Sequence, residues 1–399
     1  MTHRPTPTPG SRTARSRAAL AAALVLAFAA GPLSAPAHAD ARPAAHAASR
    51  EAEARGGQAE ADGPDVAALE RALRGLPDAA ATSAEIRVGG RGSWYGIAGV
   101  HDVETGRKAL RNARFRAGST TKVVTAAVVL QLVAEGRLDL DGTVQEYLPG
   151  LLGDDFGPVT VRQLLNFTSG LQGGRTFGDT VDEEFPHRFE TLPPEEVVAT
   201  GVAKGPRHAP GAEQHYGNIH YLVLAMLIEK VTGDTYEHQA ETRVFKPVGM
   251  RHTSFPVDPD PTVHGPHNRG YEDMDGRLVD VTEWNMADRK AAGDMISTTA
   301  DLERLLFAVF RGELVPEPQL REMFTVPDVP GATRSASLER FVVDGRVVWG
   351  KTGARPGYHT VVAATRDLSR TVVYAVTATD AKGDGLRLAQ RFAFPAFNR

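Results

Sequence analysis

Two residues of this chain, Ser119 and Lys122, have the types and the spacing that nucleophilic catalysis requires. They lie three positions apart, at the start of an apolar run from Val123 to Leu130 that predicts a helix. At that spacing the hydroxyl and the amine share one helical face, within hydrogen-bond reach. A serine becomes a nucleophile when a neighbouring base removes its proton, and a lysine is such a base once burial or cations lower its pKa from about 10.4. The alternative is a helix-capping serine followed by a solvated lysine.

Tyr216 and Asn218 form a second candidate element, at the start of a segment over 216–232 with helical periodicity. A tyrosine followed two residues later by an asparagine, at a junction between a loop and a helix, can present a phenol and an amide to one cleft. The alternative is that Tyr216 packs as an ordinary aromatic residue and Asn218 caps the helix.

Lys351, Thr352 and Gly353 form the third element, directly after a predicted strand that ends at Gly350. A lysine can hold a carboxylate electrostatically, and a threonine can donate a hydrogen bond to it. The glycine lets an extended ligand approach the backbone closely. The alternative is a solvated lysine on an edge strand, where it prevents aggregation.

The elements that must position these residues change in type along the chain. Strand patterns occupy both ends, at 85–88, 94–100, 341–343, 346–349, 358–364 and 371–377, with terminal helical segments at 66–76 and 385–394. Helical periods lie between them, at 161–166, 216–232 and 300–310. We therefore predict an α/β (α+β) part built from 64–118 and 335–399, with an all-helical region over 119–334 inserted. A site is expected in the cleft between the two parts.

The first 39 residues carry the three-part pattern of a secretory signal peptide: basic residues, an apolar stretch over 18–30, and Ala37-His38-Ala39 before the expected cleavage site. The apolar stretch of about 13 residues is shorter than the roughly 20 that a membrane span needs. Residues 40–63 contain few large apolar side chains, so we predict a flexible leader. The mature domain over 64–399 is expected to be secreted, with no stable membrane span.

Composition narrows the classes of function further. The chain has no cysteine, which excludes disulfides, a cysteine nucleophile and thiolate metal sites. The net charge is −4 with both signs interspersed, so nucleic acid is not an expected partner. The 13 histidines form no His-Glu-x-x-His pattern, and neither a metal nor a cofactor is expected. We expect a monomer.

The order Ser-x-x-Lys, Tyr-x-Asn and Lys-Thr-Gly resembles the penicillin-recognising serine hydrolase superfamily. The tyrosine variant is similar to class C β-lactamases and to secreted D-alanyl-D-alanine carboxypeptidases of actinomycete type. The resemblance covers about 64–397 and includes the non-catalytic stretches 161–171, 245–250 and 292–298. It implies a β-lactamase/transpeptidase-like fold, in which helices flank an antiparallel sheet.

The resemblance also implies catalytic roles. Ser119 would form an acyl-enzyme, Lys122 would accept the serine proton, and Tyr216 would relay it to the departing amine. Lys122 and Lys351 are the cations that would depress the pKa of the Tyr216 phenol. The backbone N–H groups of Ser119 and Ala354 would form the oxyanion hole.

Substrate binding is implied in the same way. Asn218 would hold the substrate amide, and Thr352 with Lys351 would hold its terminal carboxylate. Some carboxypeptidases of this group have a hydroxyl residue where this chain has Ala354. They also have an arginine shortly before that strand, and this arginine binds the free carboxylate. Arg340 and Arg355 are the candidates for the carboxylate-binding residue.

The function expected from these features is that of an exported, penicillin-binding serine D-alanyl-D-alanine carboxypeptidase. Its substrates would be peptidoglycan stem peptides, and β-lactams would acylate it. A class C-like β-lactamase, an esterase or D-amino-acid amidase of the same fold, and a non-catalytic penicillin-binding module are the alternatives. Ser169 has no lysine or histidine at helical spacing, and we interpret it as a loop serine.

Overall fold

The computed structural model describes residues 63–398. The predicted signal peptide over 1–39 and nearly all of the predicted leader over 40–63 lie outside the described residues. Within 63–398, no helix has both the length and the apolar character that a membrane crossing requires.

The main sheet joins the two ends of the described domain. It has six antiparallel strands, in the spatial order 94–99, 81–90, 370–378, 358–365, 346–355 and 339–343, and two further pairs of short strands join 115–116 with 296–297 and 271–274 with 277–280. The strands are β1 (Ala81–Gly90), β2 (Trp94–Gly99), β3 (Phe115–Arg116), β4 (Tyr271–Met274), β5 (Arg277–Asp280), β6 (Ile296–Ser297), β7 (Glu339–Val343), β8 (Arg346–Arg355), β9 (Tyr358–Thr365) and β10 (Arg370–Ala378). The prediction of one antiparallel sheet from both ends of the domain is therefore confirmed.

Twelve α-helices lie within the described residues. They are α1 (Val66–Leu73), α2 (Thr121–Ala134), α3 (Val144–Tyr147), α4 (Val161–Leu165), α5 (Val181–Glu184), α6 (Pro194–Val202), α7 (Ile219–Thr232), α8 (Tyr236–Ala240), α9 (Lys246–Val248), α10 (Thr299–Phe310), α11 (Glu317–Leu320) and α12 (Gly385–Phe392). Short 3₁₀ segments join several of them, including Gly118–Thr120 directly before α2, and a π-helical turn spans Glu241–Phe245.

Helices cover both faces of the sheet, which explains why β9 is buried at every position. Side chains alternate along a strand. Val362 and Ala364 point into the core shared with α2, α7 and α10, whereas Val361 and Ala363 point into the core shared with α1 and α12. The inner strands β9 and β10 consequently contain consecutive apolar residues, at 361–364 and 372–376.

The helix α2 carries Lys122 in its first turn and lies in the middle of the larger core. Eleven of its 14 residues are buried. A helix that is apolar all round is buried on all sides, so α2 is held by its surroundings rather than by one amphipathic face. The 3₁₀ turn over Gly118–Thr120 feeds directly into it and carries Ser119.

The inserted region is less purely helical than predicted. The hairpin formed by β4 and β5 lies inside it, and β6 of the same region pairs with β3 of the α/β part, with Phe115 opposite Ser297. Asp275 and Gly276 both have positive φ and make the two-residue turn of the hairpin. An Asp-Gly pair between two extended segments is a strong hairpin signal, so this hairpin could have been predicted from the sequence.

Gly353 is expected to be required for packing of the Ser119 turn on the sheet. A Cβ at this position would collide with the Ala117 carbonyl and lie 2.6 Å from Thr360 Oγ1, which itself donates to that carbonyl at 3.0 Å. We expect Gly353→Ala to lower the free energy of unfolding by about 1–3 kcal/mol, measured by urea denaturation. The matched control is Gly173→Ala, where the added Cβ meets open space. Equal stability of the two variants would contradict this account.

Candidate active site

Ser119 and Lys122 are brought together at the start of α2. The Lys122 side chain is buried, and its Nζ lies 3.3 Å from Ser119 Oγ, 2.7 Å from Asn218 Oδ1 and 2.5 Å from the Ala292 carbonyl oxygen. A lysine ammonium has three donors, and here each has an oxygen acceptor. The solvated-lysine alternative is excluded by this burial.

Tyr216 contacts the same serine oxygen. Its hydroxyl donates to Ser119 Oγ at 2.7 Å, and its ring centroid lies 4.8 Å from that of Phe167. Two ammonium groups approach the same ring, Lys122 Nζ at 5.2 Å and Lys351 Nζ at 4.9 Å from its centroid. The serine oxygen therefore has a phenol and an amine as neighbours within one small cluster.

Burial and the mutual charges bring the pKa values of both groups toward neutrality. The pKa of Lys122 is lowered to about 8, chiefly by burial and also by the Lys351 charge, while the Tyr216 phenol works in the opposite direction. Burial alone would raise the pKa of Tyr216, but the Lys122 and Lys351 cations outweigh it and lower that pKa to about 7. Either group can therefore hold or release a proton near neutral pH, which is what a general base for a serine needs.

Asn218 does not cap the helix that follows it. α7 begins at Ile219, and the Asn218 side chain makes no capping hydrogen bond. Its amide oxygen instead accepts a hydrogen bond from Lys122 at 2.7 Å. The Asn218 side chain thus holds the Lys122 amine in place and does not cap a backbone N–H group of α7.

β8 carries Lys351, Thr352, Gly353 and Ala354 past the serine. It lies between β7 and β9, so Lys351 is not on an edge strand, and its buried ammonium donates to the Thr352 carbonyl at 3.0 Å. Thr352 is half-buried at the cleft. A Cβ added at Gly118 would lie 2.7 Å from Ala354 N, so the turn before Ser119 packs directly against this part of the strand.

The two arginines proposed from the sequence as carboxylate-binding residues lie elsewhere. Arg340 is exposed on the edge strand β7, opposite Trp349. Arg355 is only 3% exposed, its guanidinium carbon lies 5.9 Å from the Trp284 ring centroid, and burial with the nearby Arg289 lowers its pKa to about 10. The described contacts place neither guanidinium against the Ser119 cluster, contrary to the expectation for both arginines.

Arg334 occupies the place expected of those residues, and the sequence analysis missed it. Its guanidinium carbon lies 5.2 Å from the Tyr216 ring centroid, and 31% of its side chain is exposed. Glu339 pairs with it at 3.1 Å, while Gln214 bonds both its backbone N–H and its carbonyl. Arg334 lies in an irregular segment before β7, where no periodicity could have indicated its direction.

Two further sequence interpretations concern groups outside the cluster. Ser169 is fully buried, and its hydroxyl accepts a hydrogen bond from Leu171 N at 3.2 Å, as suits a loop serine. Across residues 63–398, no group of three or more histidine, aspartate or glutamate side chains is arranged to hold a metal ion.

The pKa of Tyr216 should depend on the charge of Lys351. We expect Lys351→Met to raise the pKa of the phenol, because a cation that favours the phenolate is removed, by about 1 unit or more. Tyrosinate then forms at higher pH than in the wild type. The measurement is ultraviolet difference titration, with Tyr216→Phe subtracted to isolate this phenol.

The matched control is Lys230→Met, an exposed lysine late in α7. Its tyrosinate titration should coincide with that of the wild type. A Lys351→Met titration that also coincides would show that Lys351 does not act on Tyr216.

Comparison with protein families gives a match along most of the chain. The model of the family described as Beta-lactamase matches residues 66–393. This range includes every strand and α-helix of the described residues and all the residues of the Ser119 cluster.

Solved structures share the fold. The D-stereospecific amidohydrolase from Streptomyces sp. aligns with a TM-score of 0.73 and 32% identity, covering 83% of this chain and 99% of that one. The octameric penicillin-binding protein homologue from Pyrococcus abyssi aligns with a TM-score of 0.67 over 84% of this chain and 76% of that one. At 21% identity the latter likeness concerns the fold alone.

Curated sequences match over shorter stretches. Protein flp of Staphylococcus aureus (strain MRSA252) is 31% identical over 210 residues, which are 51% of this chain and 40% of that protein. The putative penicillin-binding protein PbpX of Bacillus subtilis (strain 168) is 26% identical over 249 residues, which are 61% of this chain and 57% of that protein. The chain thus spans about half the length of these two curated relatives.

Proposed function

The chain belongs to the beta-lactamase family, whose members are serine hydrolases that act through an acyl-enzyme, and we propose that it is an exported D-alanyl-D-alanine carboxypeptidase. The observation that carries the proposal is the Ser119 hydroxyl, 2.7 Å from a phenol and 3.3 Å from a buried amine, with two further cations beside the same phenol. Export rests on the signal-peptide pattern of residues 1–39. Activity as a monomer remains part of the proposal.

Acylation begins with removal of the Ser119 proton. The Tyr216 oxygen and the Lys122 amine are the two bases within reach, and their lowered pKa values make one of them proton-free near neutral pH. Ser119 Oγ then attacks the carbonyl carbon of the penultimate D-alanine. The N–H groups of Ser119 and Ala354 would stabilise the resulting oxyanion, each contributing about 3 kcal/mol.

Collapse of this intermediate breaks the C–N bond. Tyr216 gives the proton to the departing amine, so free D-alanine leaves and the acyl group stays on Ser119. Water then attacks the ester carbonyl, its proton passes to the same phenol–amine pair, and the serine hydroxyl is restored. Asn218, which fixes Lys122, would also face the amide of the acyl chain.

The carboxylate of the leaving D-alanine would be recognised by positive charge at the end of the cleft. Lys351 and Arg334 both lie about 5 Å from the Tyr216 ring centroid, and Thr352 can donate a hydrogen bond from the neighbouring strand position. Arg334 is partly exposed and bonded to one carboxylate, Glu339. A planar guanidinium can bind a second carboxylate in this geometry.

We expect Ser119→Ala to abolish release of D-alanine from diacetyl-Lys-D-Ala-D-Ala, because no other group can form the acyl-enzyme. Tyr216→Phe should lower kcat about 10²–10⁴-fold, since the proton relay is lost while the ring packing stays. Released D-alanine is measured with D-amino-acid oxidase. Wild-type protein that releases no D-alanine, yet is acylated by a fluorescent penicillin on Ser119, would refute the carboxypeptidase assignment while leaving the nucleophile intact.

Arg334 should favour a peptide with a free C-terminal carboxylate over the same peptide with a neutral C-terminal amide. We expect Arg334→Gln to lower kcat/KM for diacetyl-Lys-D-Ala-D-Ala about tenfold or more, because a charge-assisted hydrogen bond is worth about 1.5–3 kcal/mol. The same peptide with a C-terminal amide should be affected much less. Arg340→Gln, on the exposed edge strand, is the matched control and should behave as wild type. Equal loss on both peptides would contradict the assignment.

A D-amino-acid amidase is the second candidate. It is favoured by the 32% identity to the Streptomyces D-stereospecific amidohydrolase over 83% of this chain. The same cluster would cleave a neutral D-amino acid amide without using the Arg334 charge. Release of ammonia from D-amino acid amides, with no release of D-alanine from the peptide, would select it.

A further inference from the structure

Gln214 lies two residues before Tyr216, and its half-buried side-chain amide links separate parts of the chain. Its Nε2 donates to the Asn166 carbonyl at 2.8 Å and to the Arg334 carbonyl at 2.7 Å. Its Oε1 accepts from the backbone N–H groups of Thr333 and Arg334, each at 3.0 Å. A primary amide has two N–H donors and an oxygen with two lone pairs, so every hydrogen-bonding position of this side chain is used.

The Arg334 backbone depends on this amide because the segment before β7 has no regular structure. Both backbone polar groups of Arg334 are bonded to Gln214. The neighbouring backbone bonds, from Ser335 N and from Arg340 N, end within residues 333–338. Among the described contacts, only the Gln214 amide bonds the Arg334 backbone to the stretch of chain that carries Tyr216.

The place of the Arg334 backbone decides where its guanidinium can lie. The guanidinium carbon is 5.2 Å from the Tyr216 ring centroid, and Glu339 pairs with one terminal nitrogen at 3.1 Å. A long arginine side chain on a loose backbone could adopt many other positions. A binding group needs support from neighbours that fix its geometry, and here the neighbour is Gln214.

Gln214 also supports the Tyr216 ring. The Asn166 carbonyl, which accepts from Gln214, lies directly before Phe167, whose ring centroid is 4.8 Å from that of Tyr216. Phe167 has a φ of 66°, a strained conformation for a bulky residue, and its carbonyl accepts from His215 N at 2.9 Å. One side chain therefore bonds both the strained turn that packs on Tyr216 and the backbone of the arginine beside it.

We propose that Gln214 is a positioning residue that sets the specificity for a free terminal carboxylate, by holding Arg334 at a fixed place beside Tyr216. This inference rests on the proposed function, because it takes the Arg334 guanidinium as the group that recognises the substrate carboxylate. The substrate class that follows is a peptide with a free C-terminal acid. Gln214 acts through Arg334 and does not contact the substrate.

The first test depends on no substrate. Gln214→Met keeps the length of the side chain and removes its four hydrogen bonds, so the Thr333 and Arg334 N–H groups lose their acceptor. Their exchange with deuterium should become about tenfold faster, measured by mass spectrometry of the full chain over residues 330–338. Unchanged exchange there would overturn the proposal.

The matched control is Gln172→Met. Gln172 is also half-buried and donates to two carbonyls, those of Lys204 and Gly205, in a different part of the chain. Exchange over 330–338 should stay as in the wild type. Exchange of α2 reports whether each variant is folded. If α2 exchanges faster in Gln214→Met, Gln214→Asn takes its place, because an amide one methylene shorter cannot reach all four partners.

The second test separates a role in specificity from a general structural role. It compares kcat/KM for diacetyl-Lys-D-Ala-D-Ala and for the same peptide with a C-terminal amide. In Gln214→Met the preference for the acid should fall about tenfold, through a higher KM for the acid, as in Arg334→Gln. The double variant should lose no more preference than Arg334→Gln alone, because both changes act on one group. Equal loss on both peptides, or additive losses in the double variant, would contradict the proposal.

Failure of the carboxypeptidase assignment itself gives a different result. In that case the wild type releases no D-alanine, and the two peptides are compared as inhibitors of p-nitrophenyl acetate hydrolysis by Ser119. Stronger inhibition by the acid in the wild type, lost in Gln214→Met and kept in Gln172→Met, would still support the role of Gln214. Equal inhibition of the wild type by the acid and the amide would overturn it.

Discussion

The structure depends on a buried lysine whose hydrogen bonds all end on neutral oxygens. Lys122 donates to a serine hydroxyl, an asparagine amide and a backbone carbonyl. A carboxylate in any of these positions would have raised the pKa of the amine and kept it charged. With neutral acceptors, burial dominates and the pKa falls to about 8. The all-round apolar character of α2 is what permits such burial, so a feature of core packing sets the chemistry of the nucleophile.

Three positively charged side chains lie close to the phenol beside this amine. Lys122, Lys351 and Arg334 each approach the Tyr216 ring to about 5 Å, from α2, from β8 and from the segment before β7. Cations near an aromatic face are attracted to its ring, and they also favour ionisation of its hydroxyl. Three remote parts of the chain thus converge on one side chain. The phenol and the cations proposed to bind the substrate carboxylate form one electrostatic unit.

Much of this arrangement could be predicted from the sequence because it follows short-range rules. The spacing of Ser119 and Lys122 fixes their contact, and strand patterns at both ends of the domain predict the sheet. Arg334 could not be found, since it approaches Tyr216 from an irregular segment held by Gln214. Arg355 was assigned wrongly because Trp284, whose ring lies next to its guanidinium, comes from a loop that is distant from β8 in the sequence. The residues around Arg355 in the sequence give no indication of this contact. The hydrogen bond from Lys122 to the Ala292 carbonyl could not be predicted for a different reason. Every residue type carries the same backbone oxygen, so the sequence does not single out this one.

The pairing of β1 with β10 has a consequence for synthesis of the protein. β8 lies more than two hundred residues after Ser119 along the chain, so the turn that carries Ser119 leaves the ribosome long before the strand that completes the cleft. Contacts of such long range form late. Ser119 therefore lacks its β8 neighbours throughout most of translation, and the site is completed only when the last strands join the sheet.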